Sequence, residues 1–158
     1  MHKIEQALRS HGPSILEITG QIGIFNPTER DCVLELWNAY QDEQETSGYM
    51  FLVASQNGSP AQGYACFGPH PLTEGTYDLY WIGVSPAIQG HGVGHALMVQ
   101  VEAEVRSRGG RLLLIETSST APYAAARRLY DSCGFGLEAT IHDFYAPGDD
   151  LLIFAKHL

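Results

Sequence analysis

The sequence predicts an α/β fold, and three features predict it. Apolar runs at Tyr49 to Ser55, Ala61 to Phe67 and Thr76 to Val84 are short, β-rich and separated by turn residues, as in a three-strand meander. The run Gln89-Gly90-His91-Gly92-Val93-Gly94 then joins the last strand to a helical stripe, and the unbroken apolar run Leu112 to Ile115 follows that helix. A strand, a helical crossover and another strand in that order make a parallel pair with a right-handed connection. The 158 residues fit one domain, 1–158, long enough to bury roughly 68 to 70 per cent of the unfolded surface.

Met1 to Pro13 reads as an undefined lead-in, followed by a strand at Ser14 to Thr19. Asn26-Pro27-Thr28-Glu29 supplies a cap, a first-turn proline and an early acid, so a helix follows to about Tyr40 with Val33, Leu34, Leu36 and Trp37 as its apolar face. Gln41 to Ser47 is a short helix or a loop. Asn57-Gly58-Ser59-Pro60 turns the first hairpin, and Gly68-Pro69-His70-Pro71 breaks the second run. Val93, Leu97, Val101 and Val105, with Ala96 and Met98 beside them, form the apolar face of the next helix, which Gly109-Gly110 ends. Leu112 to Ile115 has the character of a strand covered on both faces. Pro122 opens a last helix with Ala126, Leu129, Tyr130 and Cys133 on one face, closed by Gly134 before Phe135. Strands around Ala139 to Tyr145 and Leu151 to Lys156 bracket the turn Ala146-Pro147-Gly148-Asp149.

Composition narrows the function classes. A net charge of −9 argues against nucleic-acid and anionic-membrane partners, which need basic patches, and mildly favours a cationic one. Cys32, Cys66 and Cys133 form an odd, unpatterned set, which fits reduced thiols in a cytoplasmic protein. Neither a signal peptide nor an apolar run of membrane-spanning length is present in the sequence.

The glycine run between strand and helix reads as a phosphate cradle. Glycines let backbone approach an anion, successive NH groups converge on it, and the helix dipole favours negative charge there. The spacing G-x-G-x-G is not the dinucleotide G-x-G-x-x-G, and no Gly-Lys-Ser/Thr completes a Walker loop. His91 and His95 stand four apart but have no acidic or cysteine partner nearby in sequence, so no metal site is expected. They suit instead the solvated first turn beside phosphates.

Two separated motifs resemble those of the GCN5-related N-acetyltransferases, the GNAT family. Gln89 to Gly94 is similar to its Q/R-x-x-G-x-G/A loop, and Tyr130-Asp131-Ser132-Cys133-Gly134-Phe135 to its Tyr-x-x-x-Gly-Phe helix end, with the element order agreeing from about Tyr49 to Leu158. The resemblance implies a mixed, mostly antiparallel central sheet with a splayed parallel strand pair and flanking helices. It also implies acetyl-coenzyme A as cosubstrate, its pyrophosphate on the loop and its pantetheine arm along Leu79 to Val84 and Leu112 to Ser118, with Gly83 hosting the bulge that opens the gap. The cofactor residues so implied are Ile82, Gly83, Val84, Gln89, Gly90, His91, Gly92, Val93, Gly94, His95 and Ala96, and beyond them Thr117, Ser118, Tyr123, Ala126 and Arg127.

The implied reaction is attack of a neutral primary amine on the thioester in a ternary complex. An NH at Val84 would stabilise the oxyanion and Tyr130 would protonate the leaving thiolate. The amine must first lose a proton, and three acceptors stay open: Asp78, Glu116 and a chain of waters. The expected acceptor is a small molecule. Aromatics such as Tyr49, Phe51, Tyr77, Tyr80 and Trp81 line its pocket or are simply core. The competing reading is a non-catalytic acyl-coenzyme A sensor on the same fold. An unfinished sheet edge near the C-terminal hairpin suggests a homodimer.

Overall fold

The computed structural model describes residues 1–23, 25–42, 47–57 and 59–158. Its strands β1 (Lys3–Gln6), β2 (Met50–Ser55), β3 (Gly63–Pro69), β4 (Thr76–Val84), β5 (Leu112–Ser118), β6 (Gly136–Ala146) and β7 (Asp149–His157) form one seven-stranded sheet. The order is β1-β2-β3-β4-β5-β7-β6. Only β4 and β5 run parallel; the other neighbours are antiparallel. Of the first turn, Gly58 lies outside the described residues, as do Glu43 to Thr46 of the polar segment expected after the first helix; Gln41 and Asp42 close that helix.

The N-terminal segment corrects the sequence reading. Lys3–Gln6 is an edge strand on β2, and Ser14 to Thr19, expected as a strand, lies within helix α1 (Gly12–Gln21). Burial there follows a helical phase: Ser14 and Ile15 are buried, Leu16 and Glu17 exposed, Ile18 and Thr19 buried again. Pro13 in the first turn suits a helix start, and the Thr19 hydroxyl, with a hydrogen bond of 2.8 Å to the Ile15 carbonyl and another of 2.8 Å to the Tyr64 hydroxyl, ties α1 to β3.

Helix α2 (Pro27–Asp42) starts where its cap predicts, the Asn26 side chain accepting the Glu29 NH at 2.8 Å. Its inner face is Val33, Trp37 and Tyr40; Leu34, expected inside, is exposed because it lies a third of a turn off that line. Helix α3 (Val93–Ser107) and helix α4 (Ala124–Ser132) follow the expected bounds closely. The run at Gly68 to Pro71 does not break at once: β3 continues to Pro69, which pairs with Tyr77.

Two apolar layers sandwich the sheet. One face packs Leu97, Met98, Val101 and Val105 of α3 and Tyr130 of α4 against Phe67, Leu79, Leu113, Ile115 and Phe154. The other packs Ile15 and Ile18 of α1 and Val33, Trp37 and Tyr40 of α2 against Phe51, Val53, Tyr64 and Cys66. Contrary to the expectation from its unbroken apolar run, β5 is not covered equally on both faces. Leu113 and Ile115 are buried, whereas Leu112 and Leu114 are half-buried and Glu116 is exposed, because the second face borders an open cleft.

One polar group interrupts the first layer. Glu102 of α3 is buried; it accepts a hydrogen bond from Lys156 Nζ at 2.8 Å and lies 3.4 Å from Arg106. Lys156 Nζ also donates to the Cys133 carbonyl at 2.7 Å, binding β7 to the end of α4. At the far end of the sheet β6 is an edge strand, exposed along its whole length, as the open edge expected near the C-terminal hairpin.

Candidate active site

The site forms where β4 and β5 part. Their parallel register runs from Thr76 opposite Leu112 to Leu79 opposite Ile115 and stops. At that point Leu79 pairs with Phe67 and Trp81 with Cys66, so Tyr80 is an extra residue on β4. The bulge is therefore at Tyr80, not at Gly83, and it bends the strand away from β5. It also reverses which residues face which way. Tyr77 and Leu79 before it belong to the α3/α4 layer, Tyr80 and Trp81 both pack on the α1/α2 layer, and Ile82 and Val84 return to the α3/α4 layer. Asp78 thus shares a face with Tyr80 but not, as simple alternation implied, with Ile82.

Gly83 has a different task from the one expected. A Cβ there would come within 2.9 Å of both Ile22 and Tyr64, so the missing side chain lets α1 close against the strand. The Ser85 NH donates to the Gln62 carbonyl at 2.8 Å, and successive NH groups of a strand point to opposite edges. The Val84 NH therefore turns from β3 toward the gap.

Beyond β4 a 3-10 turn, Pro86–Ile88, leads into the glycine loop. Gly90 and Gly92 have φ of +82° and +80°, the left-handed region that costs a side-chain-bearing residue about 1–2 kcal/mol. Among the described residues, no main-chain NH from Gln89 to His95 donates to a protein acceptor; the first helical bond is from Ala96 to Gly92 at 3.0 Å. A Cβ on Gly90 or Gly92 would meet no protein atom within 4 Å. Free donors, open space before them and the start of a 15-residue helix together make an anion cradle.

One cleft of about 1540 Å³ joins these features. Of the sequence-expected cofactor residues, Ile82, Gly83, Val84, Gln89, Gly90, Gly92, Val93, Gly94, His95, Thr117, Ser118, Tyr123 and Ala126 line it. Three do not. His91 turns its ring to the carbonyls of Ile88 and Gln89, and Ala96 has its NH in the helix. Arg127 donates to the carbonyls of Ser118 and Thr120 at 2.7 and 2.9 Å, clamping the connection from β5 to α4 instead of meeting an anion. His91 and His95 diverge, His95 Nδ1 lying 3.4 Å from Cys133 Sγ.

Tyr130, Asp78 and Glu116 all line the same cleft, from opposite faces of the sheet. Tyr130 is 6% exposed, its ring packed on Phe135 and Phe154, and burial pushes its phenol well above the ordinary tyrosine range. Its hydroxyl bonds to no described residue, and among the described residues no buried side-chain polar atom lacks a partner, so that oxygen reaches the cleft surface. Asp78 is held by His70, Oδ2 to Nδ1 at 2.6 Å, while Glu116 is exposed and makes no ion pair with a described residue. His70 was invisible to motif reading. Its only sequence signal is the hairpin register that brings positions 70 and 78 together.

Further wall comes from Phe25 just before α2, from Glu29 and Glu35 of α2, and from Tyr145 and Asp149 of the C-terminal hairpin, none of which the sequence offered as site residues. Phe25 meets Trp81 edge-on at 5.1 Å. Tyr123 donates to Glu29 at 3.2 Å and is pushed up to about 12 by burial and by the nearby charge of Glu29. Tyr49, Phe51 and Tyr77 belong to the core layers, whereas Tyr80 and Trp81 reach the cleft.

Substituting Gly92 by Ala is expected to let the free loop relax out of the left-handed conformation, so that restoring it weakens binding of the expected acetyl-coenzyme A by about tenfold while folded stability changes little. Isothermal titration against the wild-type chain measures it, and an unchanged Kd would remove the loop from the binding site.

The Acetyltransferase (GNAT) family model matches residues 18–135. A crystal structure of a GNAT-family protein from Desulfovibrio desulfuricans superposes with a TM-score of 0.95, at 39% identity over 99% of both chains. The structure of yncA from Salmonella typhimurium with its cofactor acetyl-CoA gives a TM-score of 0.77 at 26% identity, over 99% of this chain and 94% of that one. The ribosomal protein bS18-alanine N-acetyltransferase of Escherichia coli is 35% identical over 102 residues, 65% of this chain. The chain spans 64% of the length of the curated relatives it matches.

Proposed function

The chain belongs to the Acetyltransferase (GNAT) family, and from that membership we propose that it transfers the acetyl group of acetyl-coenzyme A to a primary amine of a small molecule. The observation that carries the reading is the convergence on one cleft of loop donors and a strand edge left free by the described residues, with a buried phenol that bonds to none of them.

The residues fit that cosubstrate. The NH groups of Gly90 to His95 would hold its diphosphate, and the unpaired edge of β4 from Tyr80 to Val84 would pair with its amide-bearing arm. Because Asp78 and Glu116 lie on one face of the sheet and Tyr130 on the other, the gap is where amine and thioester meet. An N–C bond forms there as the C–S bond breaks. The Val84 NH donates to the carbonyl oxygen as charge develops on it, Tyr130 gives its proton to the departing sulfur, and the phenolate takes back the second proton that the newly acylated nitrogen must lose. Burial keeps Tyr130 protonated, as that role requires.

Glu116 is the base we assign, since Asp78 is already engaged by His70. A Glu116→Gln chain is expected to lose about tenfold or more in kcat/KM near pH 7 and to recover toward pH 10, where the amine is neutral without help. Asp78→Asn is expected to lose less. A pH-independent deficit in Glu116→Gln would reassign the base. The function itself is tested by thiol release from acetyl-coenzyme A across a panel of primary amines. Tight cofactor binding with no thiol released from any amine would favour the sensor.

A further inference from the structure

We propose that the acceptor is a small amine carrying at least two ammonium groups, of which the one at the strand gap is acetylated while the other is held by carboxylates on the far wall. This rests on the acetyl-transfer reading above and specifies its substrate class. Five carboxylates line the cleft, on Glu29, Glu35, Asp78, Glu116 and Asp149, and among the described residues no lysine or arginine lines it. Of the five, Asp78 alone has an ion-pair partner among the described residues, His70. So much unpaired negative charge disfavours an acidic acceptor and attracts a cationic one, while the loop amides would hold the diphosphate of the donor.

The second observation lies outside the carboxylates. Tyr130, more than nine-tenths buried, lines the same cleft and has a hydroxyl that bonds to no described residue, so the acids border a place where a reacting group is received. Glu116 stands at the gap, where the reacting amine belongs, and Glu29 and Asp149 stand on α2 and at the start of β7. All three line the same cleft as Tyr145, whose phenol is raised by burial and then by the charges of Glu116, Asp149 and Glu29. Tyr80, Trp81 and Tyr145 also line the cleft and would offer aromatic rings to a flexible dication. The acetylated nitrogen loses its charge in the reaction, so the product keeps one ammonium fewer and is held less tightly.

The full-length chain at saturating acetyl-coenzyme A is assayed for thiol release with butylamine, 1,4-diaminobutane, a linear triamine and a short neutral peptide beginning with alanine. The expected result is kcat/KM for the diamine at least about tenfold above butylamine, the scale of one charge-assisted hydrogen bond and well beyond the twofold that two equivalent amino groups supply. Glu29→Gln, which keeps an acceptor for Tyr123, is expected to shrink that ratio; Glu35→Gln is the second variant if the first fails to fold. Equal use of butylamine and diamine overturns the inference and leaves acetyl transfer standing. Preference for the peptide overturns it in favour of a protein acceptor. Cofactor binding without turnover of any amine overturns both readings.

Discussion

Replacing Tyr130 by Phe is expected to lower kcat by about 10²- to 10³-fold, within the range of a positioned general acid, while Kd for acetyl-coenzyme A stays within about twofold. The substitution removes one oxygen that bonds to no described residue and leaves the ring on Phe135 and Phe154. Folded stability is therefore expected to be unchanged, which separates a chemical role from a packing one. Pre-steady-state acetyl transfer and calorimetric binding measure the two quantities. A variant as fast as the wild type would leave the phenol a core residue that happens to touch the cleft.

Lys156→Met is expected to destabilise the fold by about 3 kcal/mol, because it leaves the buried Glu102 carboxylate with only the longer Arg106 contact. For a chain of this size that corresponds to a fall in Tm of about 6–12 °C. Pairing it with Glu102→Gln is expected to recover most of the loss, since the stranded charge is then gone. Denaturant unfolding of the two single variants and the double variant completes the cycle, and additive losses would show that the two side chains are not coupled. The same lysine holds the Cys133 carbonyl three residues after Tyr130, so the single variant is also expected to lower turnover below its melting range.

The sequence was most legible where function depends on neighbours in the chain. Gln89 to Gly94 declares its cradle through glycine spacing, and Tyr130 through its distance to Gly134-Phe135. It was least legible where a single extra residue or a distant partner decides. Ser14 to Thr19 is six residues rich in β-branched side chains, too short for its helical phase to outweigh propensity. The bulge at Tyr80 has no glycine or proline to mark it, and Gly83, the only glycine in that strand, turned out to admit Ile22 and Tyr64 instead. Arg127 looked like an anion partner because the carbonyls that occupy it, of Ser118 at the end of β5 and of Thr120 in the link to α4, are set by a turn that no local pattern announces. Glu29 and Glu35 reach the cleft only because α2 crosses the sheet, which no local pattern states.

The extra residue at Tyr80 also divides one strand between two masters. On the function proposed above, positions 78 and 80 would answer to whatever is acetylated, and positions 82 and 84 to the donor that every turnover shares. Acceptor preference would then drift by substitution at the first pair without loosening the second.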